Sequence, residues 1–229
     1  MKKLQVFLIV CFSLLLIGCL EYEETLTISS NGSGTLIFKM GVEESILEMS
    51  DDNDFQNFDE NPIRQNFEGV DGIEVTESKS YTDKGVRWIE ITLHFESLEQ
   101  LSNAEENFDQ RGFIGHLSFS KDADGNQVFT REISFETPEE EQDEFSKNMM
   151  ESVFGKYFWT YTTIFPRRVI SANTSEENIN YEKNTVTWSF SLGSLFNEPQ
   201  IMKATIAPPS QTKLWYIIIG IVLVAGVVI

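Results

Sequence analysis

Cysteine is almost absent from this chain, which has two in 229 residues, Cys11 and Cys19. Both fall within the first twenty residues, so no disulfide framework holds the body and no zinc-type cysteine spacing occurs. Histidine is as scarce, with only His94 and His116. Neither stands beside a nucleophile or carboxylate motif, which leaves a Ser-His-Asp triad or a histidine metal site without support. No glycine-rich phosphate loop and no nucleophile elbow is present. Basic residues are outnumbered, 17 Lys and Arg against 36 Asp and Glu, for a net charge of −19. That sign opposes nucleic acid and opposes electrostatic adsorption to anionic lipid, and its ordinary role is solubility. No catalytic residue, metal ligand or cofactor is expected, and nucleic acid is not expected as a partner.

What the chain does have begins at its N-terminus. Lys2 and Lys3 precede an apolar run over 4–16, then Leu16-Ile17-Gly18-Cys19. The basic start and short apolar core read as a secretory signal rather than as structure. The ending Leu-Ile-Gly-Cys has the form of a lipoprotein signal, in which Cys19 receives a diacylglyceryl group and becomes the new N-terminus. Cys11 would leave with the signal, and lipidation of Cys19 removes the last free thiol from an exported protein. The expected division is a signal peptide over 1–18, an extracytoplasmic domain over 19–207, a linker over 208–213 and a transmembrane helix over 214–229. The last segment is sixteen residues without a charge. As a helix it is about 24 Å long, with Trp215 and Tyr216 at the outer interface.

Between these ends the pattern is strand-rich. Alternation predicts strands over 20–28 and 35–42 across Asn31-Gly32, over 73–81 and 86–95 across Thr82-Asp83-Lys84-Gly85, and over 116–121 and 127–136 across Asp122-Ala123-Asp124-Gly125-Asn126. Short helices are expected over 43–49 and after Asn61-Pro62. A capping box at Ser97 opens another with Leu98, Leu101, Ala104 and Phe108 on one side, and Thr137-Pro138-Glu139-Glu140 opens one more. Strands return over 156–165, 169–172, 185–192 and 200–206. The expected fold is α+β: a curved antiparallel sheet built from hairpins, with two or three packed helices and one C-terminal transmembrane helix. Asp122-x-Asp124-Gly125-Asn126 shares the start of a calcium loop, but it lacks the distal Glu and flanking helices, and a hairpin turn accounts for it.

Tyr157, Trp159 and Tyr161 alternate along one strand, and Trp188 stands on another. Two readings are open. The rings are core, or they line an apolar pocket on one face of the sheet and form a ligand site.

Several segments together resemble the LppM-type bacterial lipoproteins: Cys19 leading straight into a strand and hairpin, Phe165-Pro166-Arg167-Arg168-Val169, Asn184-Thr185-Val186-Thr187-Trp188, and a closing strand before the apolar tail. The resemblance implies an envelope-exposed α+β domain that binds lipid. The expected protein is thus a lipoprotein of the bacterial cell membrane, carrying an acyl chain such as palmitate at Cys19. Its body faces outward and binds membrane lipid or another apolar ligand through Tyr157, Trp159, Tyr161 and Trp188. The alternative is an envelope scaffold or accessory subunit that binds a protein partner. Neither is an enzyme.

Overall fold

The computed structural model describes residues 20–44, 47, 60–104, 114–134, 155–195 and 198–208. The signal over 1–18, Cys19, residues 45, 46, 48 and 49 of the predicted 43–49 helix, the predicted helix after Thr137 and the 214–229 tail lie outside these residues, while Glu43 belongs to a strand. Among the described residues no helix is long and apolar enough to cross a membrane.

Two hairpins and their neighbours build a seven-stranded sheet. Strand β1 (Leu20–Ile28) turns through 29–33 into β2 (Gly34–Glu43), and β3 (Ile73–Asp83) turns into β4 (Val86–Phe95). The second turn holds two residues, Lys84 at φ 52° and Gly85 at φ 79°. Both sit in the left-handed region that a tight hairpin of right-twisted strands requires. Strands β7 (Phe158–Ile164), β9 (Ile179–Asn180) and β10 (Thr185–Ser191) complete the sheet in the order β3-β4-β2-β1-β7-β10-β9. A four-stranded sheet of β5 (His116–Lys121), β6 (Gln127–Ile133), β11 (Gln200–Ile206) and β8 (Val169–Ala172) runs in the order β5-β6-β11-β8. Among the described residues the helices are short: α1 (Asn61–Gln65), α2 (Leu98–Asn103) and α3 (Leu192–Leu195), besides a 3₁₀ turn at Glu176–Asn178.

The expected α+β class is therefore corrected to a predominantly β fold of two sheets. The strand alternations were real, and most strands begin and end within two residues of the expected bounds. Two things differ. The strands sort into two sheets rather than one curved sheet. And β7 pairs with β1 in parallel, Tyr22 opposite Trp159, so the large sheet is mixed rather than antiparallel. Helix α2 starts as its capping box directs, with the Ser97 hydroxyl accepting from the Gln100 backbone N–H, and buries Leu98 and Leu101. It is described over Leu98–Asn103 with Ala104 as its C-cap, and Phe108 lies outside the described residues.

Alternation places the core. The inward set includes Leu26, Leu36, Phe38, Ile91, Leu93, Phe95, Trp159, Val186 and Trp188 from the large sheet, and Phe129, Ile133, Met202 and Ile206 from the small one, all buried. Burying a side chain of this size stabilises by about 1.5–3 kcal/mol each. Phe67, just after α1, packs on Phe38 with ring centroids 5.7 Å apart and covers the β2–β4 half of the inner face.

Candidate functional site

The four aromatics singled out from the sequence are not one cluster. Trp159 and Tyr161 point inward from β7, and Trp188 from β10 lies opposite Tyr161 in register. Their rings are 5.8 Å apart, while Trp159 meets Tyr22 edge-on at 4.7 Å. All three are no more than 2% exposed. Tyr157 precedes β7, is half-buried, and has the Lys156 ammonium 5.0 Å from its ring centre.

Between the sheets two of these buried rings, Trp159 and Tyr161, face a charge that the sequence reading did not identify. Arg131 on β6 is 1% exposed and crosses to Glu24 on β1. Its Nη1 donates to Glu24 Oε1 at 2.7 Å, Nη2 to Oε2 at 3.2 Å, and Nε to the Ile114 carbonyl at 2.6 Å. The guanidinium carbon lies 4.2 Å from the Tyr161 ring centre and 5.6 Å from that of Trp159. A guanidinium with its donors spent on a bidentate carboxylate and a carbonyl, and its faces against rings, is about as well compensated as a buried cation becomes. Burial works against the Arg131 charge, and the Glu24 carboxylate more than offsets it, so the guanidinium stays protonated. Burial also pushes the Tyr161 hydroxyl up to about 12, against the opposing pull of Arg131. The sequence did carry a signal for this pair. Glu24 sits between Tyr22 and Leu26 on the inward side of its strand, and Arg131 between Phe129 and Ile133 on the inward side of its own.

A second inter-sheet tie lies nearby. The Trp188 indole Nε1 donates to Asn173 Oδ1 at 2.9 Å. The same oxygen accepts from the Lys203 backbone at 2.7 Å, and Asn173 Nδ2 donates to the Ile201 carbonyl at 2.6 Å. Asn173, just past β8, thus fastens Trp188 in the large sheet to β11 in the small one.

An open groove of about 520 Å³ runs beside β3. Phe67, Ile73 and Val75 line it together with Arg64, Glu68, Glu74 and Glu77, so its exposed wall is more polar than apolar. Arg64 pairs with Glu68 at 2.7 Å and Glu77 with Lys79 at 3.1 Å, so these charges are held by neighbours. A much smaller apolar space of about 10 Å³ lies among Tyr22, Phe38, Met40, Ile63, Ile89 and Ile91.

The remaining candidates have structural duties. His94 is exposed and faces Thr35 across the β2–β4 pair. His116 Nδ1 is 3.5 Å from Ser102 Oγ, whose hydroxyl accepts from the Leu117 backbone at 3.3 Å. Asp122 Oδ1 accepts from the backbones of Asp124 and Asn126, and its Oδ2 from the Asn126 side chain at 2.9 Å. That carboxylate ties the β5–β6 turn, and the Asn126 side chain above all lowers its pKa.

Among the described residues, the fold and these contacts define a two-sheet β protein with a buried ion pair between its sheets. No family model matches the sequence, and no curated protein matches it. Among solved structures, the folded domain of LppM from Mycobacterium tuberculosis is similar over 85% of this chain and 92% of that one, at 14% identity and a TM-score of 0.45. At that level of likeness neither membership of a family nor a function passes from one protein to the other.

Proposed function

We propose that this chain is a cell-envelope lipoprotein, tethered through Cys19 outside the bacterial cytoplasmic membrane, whose body works by binding lipid or another apolar ligand. The observation that carries the reading is the place of the tether. Leu20, the residue after Cys19, opens β1, and β1 is the middle strand of the seven. A diacylglyceryl group on Cys19 would be joined to the rigid centre of the body without a spacer. The ligand's place in this reading is the groove beside β3, where Ile73 and Val75 offer the apolar part of a mainly polar wall and Arg64 a cation for a headgroup. Trp159, Tyr161 and Trp188 then support the site as core instead of lining it.

A protein-binding scaffold is the second reading, and a specific observation favours it. The eleven-residue strand β3 pairs, among the described residues, only with β4. Its outer edge has the geometry for a partner strand to add to the sheet. One preparation tests both readings. Full-length protein expressed in a bacterial host and extracted in mild detergent is weighed intact and then by native mass spectrometry. The lipoprotein reading expects diacylglyceryl mass on a chain beginning at Cys19, lost in Cys19→Ala, and the ligand reading expects additional bound lipid. A lipidated chain with no bound lipid, and with a co-purified protein displaced by charge substitutions along β3, would favour the scaffold.

A further inference from the structure

The outer face of the seven-stranded sheet changes character along its strands. Strand register carries rows of side chains across this face. One row is ionic: Lys79 pairs with Glu90 at 2.9 Å, Lys39 with Glu90 at 3.6 Å, and Glu23 stands opposite Lys39 on β1. Two residues further toward Leu20 the next row is aromatic. Tyr81 lies opposite Trp88, and Trp88 opposite Gly41. The Trp88 ring lies across Gly41 so closely that a methyl there would come within 2.9 Å of it. On the other side of β1, Phe158 opens β7 one residue before the Tyr22–Trp159 pair. Phe158 is 55% exposed and Tyr81 38%.

These rings flank the point where the chain leaves toward Cys19. Strand spacing puts Phe158 about 5 Å and Tyr81 about 14 Å to either side of β1, and both stand in the row of Glu21, the residue after Leu20. The other large exposed hydrophobics do not share this place. Ile170 and Ile201 belong to the small sheet, and Tyr181 follows β9, whose Asn180 pairs with Thr185 at the opposite end of β10 from Phe158. Lys84, Arg87 and Lys156 stand at the same end as the aromatic row. Glu21, Glu43, Glu44 and Asp83 stand there too, four carboxylates against three cations, so charge is close to balanced with a slight negative excess.

We propose that Tyr81, Trp88 and Phe158 form a membrane-facing rim, seated in the lipid headgroup layer around the Cys19 anchor. This rests on the lipoprotein reading and adds to it an orientation. Tyrosine and tryptophan settle at the boundary between headgroups and hydrocarbon, where ring and polar tip are both satisfied. Phenylalanine adds apolar area, and lysine and arginine stems reach out to phosphate. A tether attached to the middle strand with no spacer holds this rim at bilayer height. Balanced charge makes the contact one of rings rather than of net attraction, so it persists in high salt.

Full-length protein with Phe158→Cys, Tyr81→Cys or, as a far-end control, Thr185→Cys tests the orientation. Cys11 leaves with the signal and Cys19 is acylated in this reading, so each variant has one thiol for an environment-sensitive fluorophore. The labelled proteins are reconstituted into phosphatidylethanolamine–phosphatidylglycerol vesicles with shallow nitroxide lipids, and thermal melts confirm that each is folded. Labels at 81 and 158 are expected to be quenched roughly threefold or more above the label at 185 and shielded from aqueous iodide, as for groups lying about 5–10 Å into the interface. Equal quenching at all three positions overturns the proposal. Shielding from iodide without nitroxide quenching overturns it in favour of a protein occupant, including a second copy of the chain. Intact mass separates the two failures: acylated Cys19 with wet labels sinks only the rim, while a chain without diacylglyceryl mass sinks the tether and the rim with it.

Discussion

Arg131 and Glu24 join the two sheets through a bidentate ion pair, at 2.7 and 3.2 Å, in which both residues are almost wholly buried. Replacing one partner leaves the other charge in the interior without compensation. Glu24→Leu or Arg131→Met is expected to cost about 3–5 kcal/mol, whereas the double replacement Glu24→Leu with Arg131→Met costs less than either single change. Urea denaturation of the four proteins in a double-mutant cycle checks this. Equal and additive losses would mean that the pair is not energetically coupled.

Alkaline pH acts on the same cluster. Burial raises the Tyr161 hydroxyl to about 12, from an ordinary value near 10. A group raised in the folded state contributes stability that is fully present below its unfolded pKa and is lost as pH rises through the folded one. The window is therefore about pH 10 to 12, and at 1.36 kcal/mol per unit the contribution is about 2–3 kcal/mol. Melting temperature should fall across that window, with one tyrosine ionising only as the protein unfolds. Tyr161→Phe should show a shallower decline, read by thermal melts alongside tyrosinate absorbance.

On the acid side, the ionic row of the outer face gives a weaker dependence of opposite sign. Partial burial raises the Glu90 pKa, but the hydrogen bond from Lys79 and the charges of Lys79 and Lys39 outweigh it, and the net shift is downward. Its contribution is present above the unfolded carboxylate value and is lost as pH falls through the folded one. Exposed pairs of this kind contribute little, about 0.2–1 kcal/mol, and salt screens them. Glu90→Gln should therefore change stability slightly at neutral pH in low salt, and the difference should shrink in high salt.

The strands were legible in the sequence because each has its own period of two. Val186, Trp188 and Phe190 against Thr185, Thr187 and Ser189 give the facing of β10 directly. Pairing was legible only where a turn forces it, as at Lys84-Gly85. The parallel alignment of β1 with β7 joins Tyr22 to Trp159 across most of the chain, and no local period encodes it. That alignment puts β1 in the middle of the large sheet and helps divide the strands into two layers, which is why a single antiparallel sheet was expected. The site was half legible. Alternation sets Trp159 and Tyr161 on one side of their strand and Trp188 inward on its own, and the same rule carries an inward place for Glu24 and Arg131 that the sequence reading passed over. That these two charges meet is long-range information, and without it the enclosed rings read equally well as the wall of a pocket.

Whether those rings are core or ligand wall has a direct test in Trp188. The indole is 2% exposed, faces Tyr161, and donates to Asn173 Oδ1, which also holds the Lys203 backbone. Trp188→Ala removes the ring and leaves a cavity, at an expected cost of about 3–5 kcal/mol. Asn173→Ala removes the hydrogen-bond acceptor and keeps the ring, at an expected cost of about 1–3 kcal/mol. Phe67→Ala enlarges the groove beside β3 instead, and it too removes a buried ring. If ligand is held in that groove, Phe67→Ala should lower lipid recovery at a temperature where the variant is still folded. Trp188→Ala and Asn173→Ala should lower the melting temperature and, while folded, leave lipid recovery unchanged. Native mass spectrometry beside thermal denaturation of the three variants reads both quantities. Loss of lipid from folded Trp188→Ala, with none from Phe67→Ala, would move the ligand from the groove to the space between the sheets.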